Sequence, residues 1–211
     1  MRTSTVASTV CIGLATAVLF TQCQQHEESK KGLTLTAGAT YNGFESRVKF
    51  GEHLVTIGAC HDCHTPKKMT AFGPDIDSAL LLSGHPANEP APVVDRKDIE
   101  SKGLSVTGTL TSWVGPWGIS YAANLTSDST GTGNWSEQQF MNAIRHGKFK
   151  GLDAGRDLLP PMPWQMYRNM TDDELKAIFA YLKTTKPIKN VVPAPVPPVA
   201  AAAVQAKKVE G

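Results

Sequence analysis

The sharpest hydrophobic pattern lies late in the chain. Leu175, Ile178, Phe179 and Leu182 recur at i, i+3, i+4 and i+7, one apolar stripe on a 3.6-residue period. Thr171 and Glu174 form a capping-box pair ahead of the stripe, and Asp172 and Asp173 suit the positive end of a helix. The pattern predicts a helix from Thr171 to Lys183. A second helix is predicted over 137–146. There Ser136 and Gln139 repeat the capping pattern, Phe140 and Ile144 share a face, and Gly147 marks the end. A first helix is predicted over 45–59. Gly51 inside it weakens the helix, which points to a close crossing with another helix. Between these helices, residues 104–121 alternate enough to predict a small β-hairpin turning near Gly115 and Pro116.

Both ends depart from this globular pattern. Arg2 is the only charge before His26, and Val6 to Phe20 is a mostly apolar run. It is short for a bilayer span and rich in Ser, Thr and Gly, as the core of an export signal is. Cys23 follows at once. The stretch Leu19-Phe20-Thr21-Gln22-Cys23 resembles a bacterial lipoprotein signal, although Leu19 sits one place further out than that pattern puts it and Gln22 is bulkier than its small residue. Two fates of Cys23 are open: acylation, or simple cleavage of the leader and release into the periplasm. After Lys189 come Pro193, Pro195, Pro197 and Pro198, then Ala200 to Ala203. Repeated proline stops a helix and favours extended chain. The expected layout is a signal peptide over 1–22, a polar tether over 23–43, one folded domain over 44–189, and a Pro/Ala-rich disordered tail over 190–211.

Composition narrows the class. Of 211 residues, 41% are hydrophobic and 19% are charged, enough apolar content for a core and too little charge for a disordered polyelectrolyte. Lys and Arg number 21 against 19 Asp and Glu, a net charge of +2, so no nucleic-acid footprint is expected. The 4 cysteines are too few for a disulfide scaffold.

Chemistry enters with Cys60-His61-Asp62-Cys63-His64. This is the C-x-x-C-H form that attaches c-type haem. Thiols three residues apart on a helical turn share a face and can add to two vinyl groups of one porphyrin. The next residue, His64, then brings its imidazole under the iron. Other uses of such a pair fit less well. A thioredoxin-like site expects a βαβ setting, a structural zinc site expects a second close pair, and a plain disulfide leaves His64 without a role. One such motif means one haem c per chain.

An iron with one histidine needs a second axial ligand or an open position. The candidates are Met69, Met141, Met162, Met166, Met170, His85 and His146. Met69 is five residues past His64 and too near to reach the far face. Met141 falls inside a predicted helix, and Met166 and Met170 suit core packing. Met162 stands out because Pro160, Pro161 and Pro163 stiffen the backbone on both sides of it. His85 and His146 offer a bis-histidine alternative, with His146 better explained as a helix-end residue.

With these segments in view, the chain resembles the bacterial monohaem class I c-type cytochromes. The match is to the subgroup with a long insertion between the haem motif and the methionine loop. The resemblance covers about residues 47–188. It rests on Gly51-Glu52-His53-Leu54-Val55, Cys60 to Pro66, Ala123-Asn124-Leu125-Thr126, Trp135 to Phe140, Leu159-Pro160-Pro161-Met162-Pro163-Trp164, and the final helix. It implies an all-α class I cytochrome c fold of three to five helices around one covalent haem. The Gly/Pro-rich insertion 65–134 would carry the hairpin and cover the haem edge or meet a partner. The first and last helices would cross near Gly51 and Val55 against Ile178, Tyr181 and Leu182. Cys60 and Cys63 would bind the haem, with His64 and Met162 on its iron. Tyr121, Asn124 and Arg156 are candidates for the propionates, and four tryptophans (113, 117, 135 and 164) for the pocket wall.

The function implied is electron transfer without catalytic residues, at the periplasm or the outer face of a bacterial membrane. Partners would be redox proteins: a dehydrogenase as donor, an oxidase or reductase as acceptor. Any membrane contact would run through a lipid on Cys23. Two alternatives stand beside it: a cytochrome subunit of a dehydrogenase or oxidase complex, and a ligand-binding or peroxidase-like haem protein with an open sixth site.

Overall fold

The computed structural model describes residues 41–200. The leader, Cys23, most of the tether and the last eleven residues of the tail lie outside the described residues. Within them run α1 (Arg47–Ile57), α2 (Cys60–His64), β1 (Lys67–Thr70), β2 (Gly73–Ile76), α3 (Arg96–Ser101), β3 (Val106–Thr107), β4 (Ser112–Gly115), β5 (Gly118–Tyr121), α4 (Glu137–His146), α5 (Trp164–Tyr167) and α6 (Asp172–Leu182). None of the described helices is long and apolar enough to cross a membrane.

The two capping boxes form as their sequences dictate. Ser136 and Thr171 each accept the backbone N–H three residues on, and Gln139 and Glu174 reach back to the cap N–H. The apolar stripe of α6 packs on α1 in the most extensive helix pair of the fold. Gly51 is where the two backbones meet. A Cβ there would collide with the Ala177 carbonyl and stand 2.9 Å from Tyr181 Cβ. The crossing expected near Gly51 is thus present, centred on Ala177 and Tyr181. Around it Phe50, Leu54, Val55, Phe140, Ile144, Leu175, Ile178, Phe179 and Leu182 form one core, with the Phe140 and Phe179 rings stacked at 5.3 Å. Each such side chain contributes roughly 1.5–3 kcal/mol by leaving water.

The first helix stops earlier than its sequence predicts. It ends at Ile57, and Ala59 takes a left-handed conformation (φ 54°) before α2 begins. That break swings Cys60 to His64 off the line of α1. It is braced from outside: the Tyr167 hydroxyl donates to the Gly58 carbonyl at 2.6 Å.

The all-α expectation needs correction to a mixed fold with two small antiparallel sheets. The predicted hairpin is there, paired from Ser112↔Tyr121 to Gly115↔Gly118 around Pro116 and Trp117, and β3 joins its other edge. The β1–β2 hairpin was not expected. Its strands are mostly exposed and lack an apolar alternation, so polar contacts hold them: the ladder hydrogen bonds, the Lys68–Asp77 ion pair at 2.9 Å, and Lys67 Nζ donating to the His61 and Asp62 carbonyls.

The tail also differs from its expected form. Residues 190–200 lie along the body as a strap rather than free. Asn190 donates to the Ser83 and His85 carbonyls at 2.7 and 2.8 Å and accepts from Ala87 N–H. Val196 pairs with Ile119 through both backbone bonds, and the Pro197 carbonyl accepts from Arg96. The prolines rule out a helix there, but an extended strap along a strand edge needs only the donors between them.

Candidate functional site

Cys60 and Cys63 stand one helical turn apart on α2, both as free thiols. His64 ends that turn and is buried. Its Nδ1 lies 2.7 Å from the Ala123 carbonyl oxygen. A carbonyl only accepts, so Nδ1 carries the proton and Nε2 keeps its lone pair for a metal. The turn is stapled in place on its far side: Gly84 N–H donates to the His64 carbonyl, and Leu82 N–H donates to Thr65 Oγ1.

Burial sets the charge states. It pushes the His64 imidazole below its usual value, against the Ala123 hydrogen bond, which favours the protonated ring. The Cys60 thiol is pushed up to about 11 by burial, then by the neighbouring Cys63. The Cys63 thiol is also raised, again chiefly by burial. Burial therefore favours the neutral imidazole and the neutral thiols over their charged forms.

These three side chains lie on the wall of a cavity of about 900 Å³. That is near the top of the ~300–1,000 Å³ range of sites that enclose a small molecule or cofactor. Helices α4 and α6 line it with Phe140, Ile144, Leu175, Ile178 and Leu182. Pro160 to Pro163 line it as well, with Met162 half-buried among them. Two side-by-side thiols, one imidazole with a free nitrogen, a thioether and a mostly apolar wall are the donor set that the C-x-x-C-H reading requires. Among the described residues, no cluster of three or more His, Cys, Asp or Glu converges as a zinc site would need.

The other candidates separate clearly. Met69 on β1 is 76% exposed and Met166 is 66% exposed, both away from the core. Met141, on α4, packs into the core. Met170 packs against the core and also reaches the cavity wall. His85 is fully buried, but Nδ1 meets Thr111 Oγ1 at 2.9 Å and Nε2 meets the Glu89 carbonyl at 2.8 Å, which leaves no nitrogen for a metal. His146 is exposed at the end of α4.

Tyr121, Asn124 and Arg156 all reach the cavity. Asn124 is already committed: its amide donates to Thr130 Oγ1 and the Ile188 carbonyl, and its oxygen accepts from Thr126. Arg156 lies 3.8 Å above the Phe149 ring and donates to the Asp157 carbonyl, which fixes a cation at the cavity edge. Trp113 and Trp135 line the wall, whereas Trp117 and Trp164 do not. The sequence did not point to Phe149, Tyr167 or Val191 to Pro195, which also line it. The one signal for the last segment was its run of Val, Ala and Pro without charge, unusual in a solvated tail.

No protein-family model matches the chain. Over 150 residues, 71% of the chain, it is 29% identical to the gluconate 2-dehydrogenase cytochrome c subunit of Pantoea cypripedii. Over 76 residues (35% of the chain) it is 40% identical to the fructose dehydrogenase cytochrome subunit of Gluconobacter japonicus. Over 123 residues (54% of the chain) it is 33% identical to the cytochrome c subunit of a quinone alcohol dehydrogenase from Gluconacetobacter polyoxogenes. The matched regions span 25%, 15% and 24% of those proteins, so the chain covers no more than a quarter of each. Together with the C-x-x-C-H turn on the cavity wall, these similarities support a c-type cytochrome family.

Proposed function

We propose that this chain carries electrons through one haem c, attached at Cys60 and Cys63, with His64 and Met162 as axial ligands. The observation that carries the reading is the shared cavity wall: both thiols, the oriented imidazole and the proline-flanked thioether face one apolar space. Bound haem supplies one-electron chemistry between ferrous and ferric iron. The protein's part is positional. Nδ1–H to the Ala123 carbonyl holds the His64 ring and raises the basicity of Nε2. The helices α4 and α6 exclude water. Ligation by His and Met favours the reduced state more than two histidines would. No catalytic residue is needed, and none is assigned.

The site of action proposed is the periplasm, after cleavage of the leader, or the outer face of a bacterial membrane, with Cys23 as a lipid anchor. The partners are redox proteins: a dehydrogenase donor and an oxidase or reductase acceptor. The dehydrogenase cytochrome subunits among the relatives favour a second form of the same reading, in which the chain works as a docked subunit. Co-purification with a dehydrogenase after mild cross-linking distinguishes the docked subunit from a free shuttle.

The test is a mass and a spectrum on protein exported through a haem-maturing host. One haem's mass should be added to the processed chain, and the ferric protein should show the weak near-infrared sulfur-to-iron band. Met162→Ala should keep the haem, lose the band and bind carbon monoxide rapidly once reduced, while Met170→Ala should keep the band. A colourless product with the bare chain mass would overturn the reading. Rapid stoichiometric carbon monoxide binding by the parent would favour the open-site alternative.

A further inference from the structure

The Met162 loop has few ways to hold on to the rest of the protein. Pro160, Pro161 and Pro163 have no N–H, and Met162 N–H turns back to the Leu159 carbonyl at 3.3 Å. Upstream, Leu158 N–H is tied to the Gly147 carbonyl, and downstream Met166 N–H bonds locally to Pro163. Between those points, among the described residues, one hydrogen bond links the loop to another element. Ser120 Oγ on β5 donates to the Pro160 carbonyl at 2.6 Å. A proline loop offers only carbonyls, so its tether must come from a side-chain donor or a foreign N–H.

The donor is itself held. A hydroxyl has one hydrogen, and Ser120 spends it on Pro160, so its oxygen is left to accept. Trp117 Nε1, which can only donate, points at that oxygen from 3.0 Å. Trp117 sits in the hairpin turn with its ring folded over Gly115, where a Cβ would come within 2.6 Å of the indole. Just before Ser120 on β5, Ile119 is locked by both backbone bonds to Val196 of the strap. Ser120 is buried and has a fixed partner on each side. The chain of contacts runs Trp117 to Ser120 to Pro160, two residues short of the Met162 sulfur.

We propose that Ser120, oriented by Trp117, is a positioning residue that holds the Met162 thioether at its ligating place, so that the β4–β5 hairpin of the insertion sets how easily an outside ligand displaces that sulfur. The inference rests on Met162 being the distal ligand. Removing the hydroxyl leaves the Pro160 carbonyl without a partner and frees the loop to swing.

The experiment titrates free imidazole into the ferric holoprotein and follows the sulfur-to-iron band, with a thermal melt on each sample. For Ser120→Ala, imidazole should bind about tenfold more tightly than to the parent, the size expected from one lost semi-buried hydrogen bond. Ser120→Thr, which keeps the hydroxyl, should return the affinity to near the parent's. Trp117→Phe keeps an aromatic side chain but removes the donor, and should shift affinity in the same direction by a smaller factor. If Ser120→Ala does not fold, Trp117→Phe carries the test. Imidazole affinity within twofold of the parent in the folded variants, even with a lower Tm, makes Ser120 merely structural and overturns the proposal. If the parent itself lacks the band, the assignment of Met162 has failed, and that result is read before any variant is made.

Discussion

Behind Cys60 and His64, the cavity rests on α1 crossing α6, where Gly51 lets two backbones touch and a dozen apolar side chains close around them. On the other side it rests on the Pro160–Pro163 loop, β5 and the strap, where few side chains are fully buried and the contacts are a handful of hydrogen bonds. Ser120 to Pro160, Asn190 to Ser83 and His85, and Val196 to Ile119 are the main ones. The first wall is held by area and the second by geometry. Area tolerates the loss of one polar atom but not a change of volume, and geometry does the reverse.

The largest effect should come from the volume of the helical wall. Gly51→Val places a branched side chain where the Ala177 carbonyl already stands, and backbone cannot move aside as a side chain can. The expected loss is above about 3 kcal/mol, the upper range for overpacking. For a domain of this size that lowers Tm by roughly 6–12 °C. A melt within 2 °C of the parent would show that α1 and α6 are not packed in this register.

Asn190→Ala tests the geometric wall. It removes three bonds from one side chain and leaves the Ser83 and His85 carbonyls short of a donor, at a cost of about 2 kcal/mol. Hydrogen exchange sharpens the comparison. The Ile119 and Val196 amides should lose protection while the amides of α6 keep theirs. Equal loss in α6 would mean that the two walls open as one unit.

The same contrast explains what could be read in the chain beforehand. Helices α4 and α6 carry their caps, stripes and stops within a dozen residues, so local pattern places both of them. The thiols and imidazole of α2 stand out in the chain because the proposed chemistry requires a fixed spacing, and Met162 because prolines crowd around it; the structure puts all four on the wall of one cavity. The end of α1 is not legible: Ala59 turns left-handed in a setting that includes Tyr167, more than a hundred residues away, bonded to Gly58. The strap hides for the same reason. Asn190 finds its partners at Ser83, His85 and Ala87, and a polar contact over that separation leaves no periodicity behind. Ser120 looks like any strand serine until the loop above it is in place.

A smaller effect is expected at the start of α6. Thr171 Oγ1 accepts the Glu174 N–H at 3.2 Å, and the Glu174 carboxylate accepts the Thr171 N–H at 2.7 Å. Thr171→Ala removes the first of these and should cost about 1 kcal/mol. The helical wall is anchored chiefly by Leu175, Ile178 and Leu182, so the near-infrared band should not change. A band that weakens with this mutation would show that the cap reaches the Met162 loop, and the division between the walls would blur.

The smallest effect should fall on the β1–β2 hairpin, which belongs to neither wall. Phe72 sits in its two-residue turn fully exposed, and Met69 beside it is 76% exposed. The turn holds without either ring or thioether: Thr70 Oγ1 accepts the Phe72 N–H and donates to the Gly73 carbonyl. A side chain that is as exposed in the folded chain as in the unfolded one contributes nothing by burial. Phe72→Ser should therefore change stability by less than about 0.5 kcal/mol, as other substitutions at uninvolved surface positions do. A larger drop would mean that the tip of the hairpin is covered in the folded protein, and the molecule would then have a third packed region to set beside the two walls of the cavity.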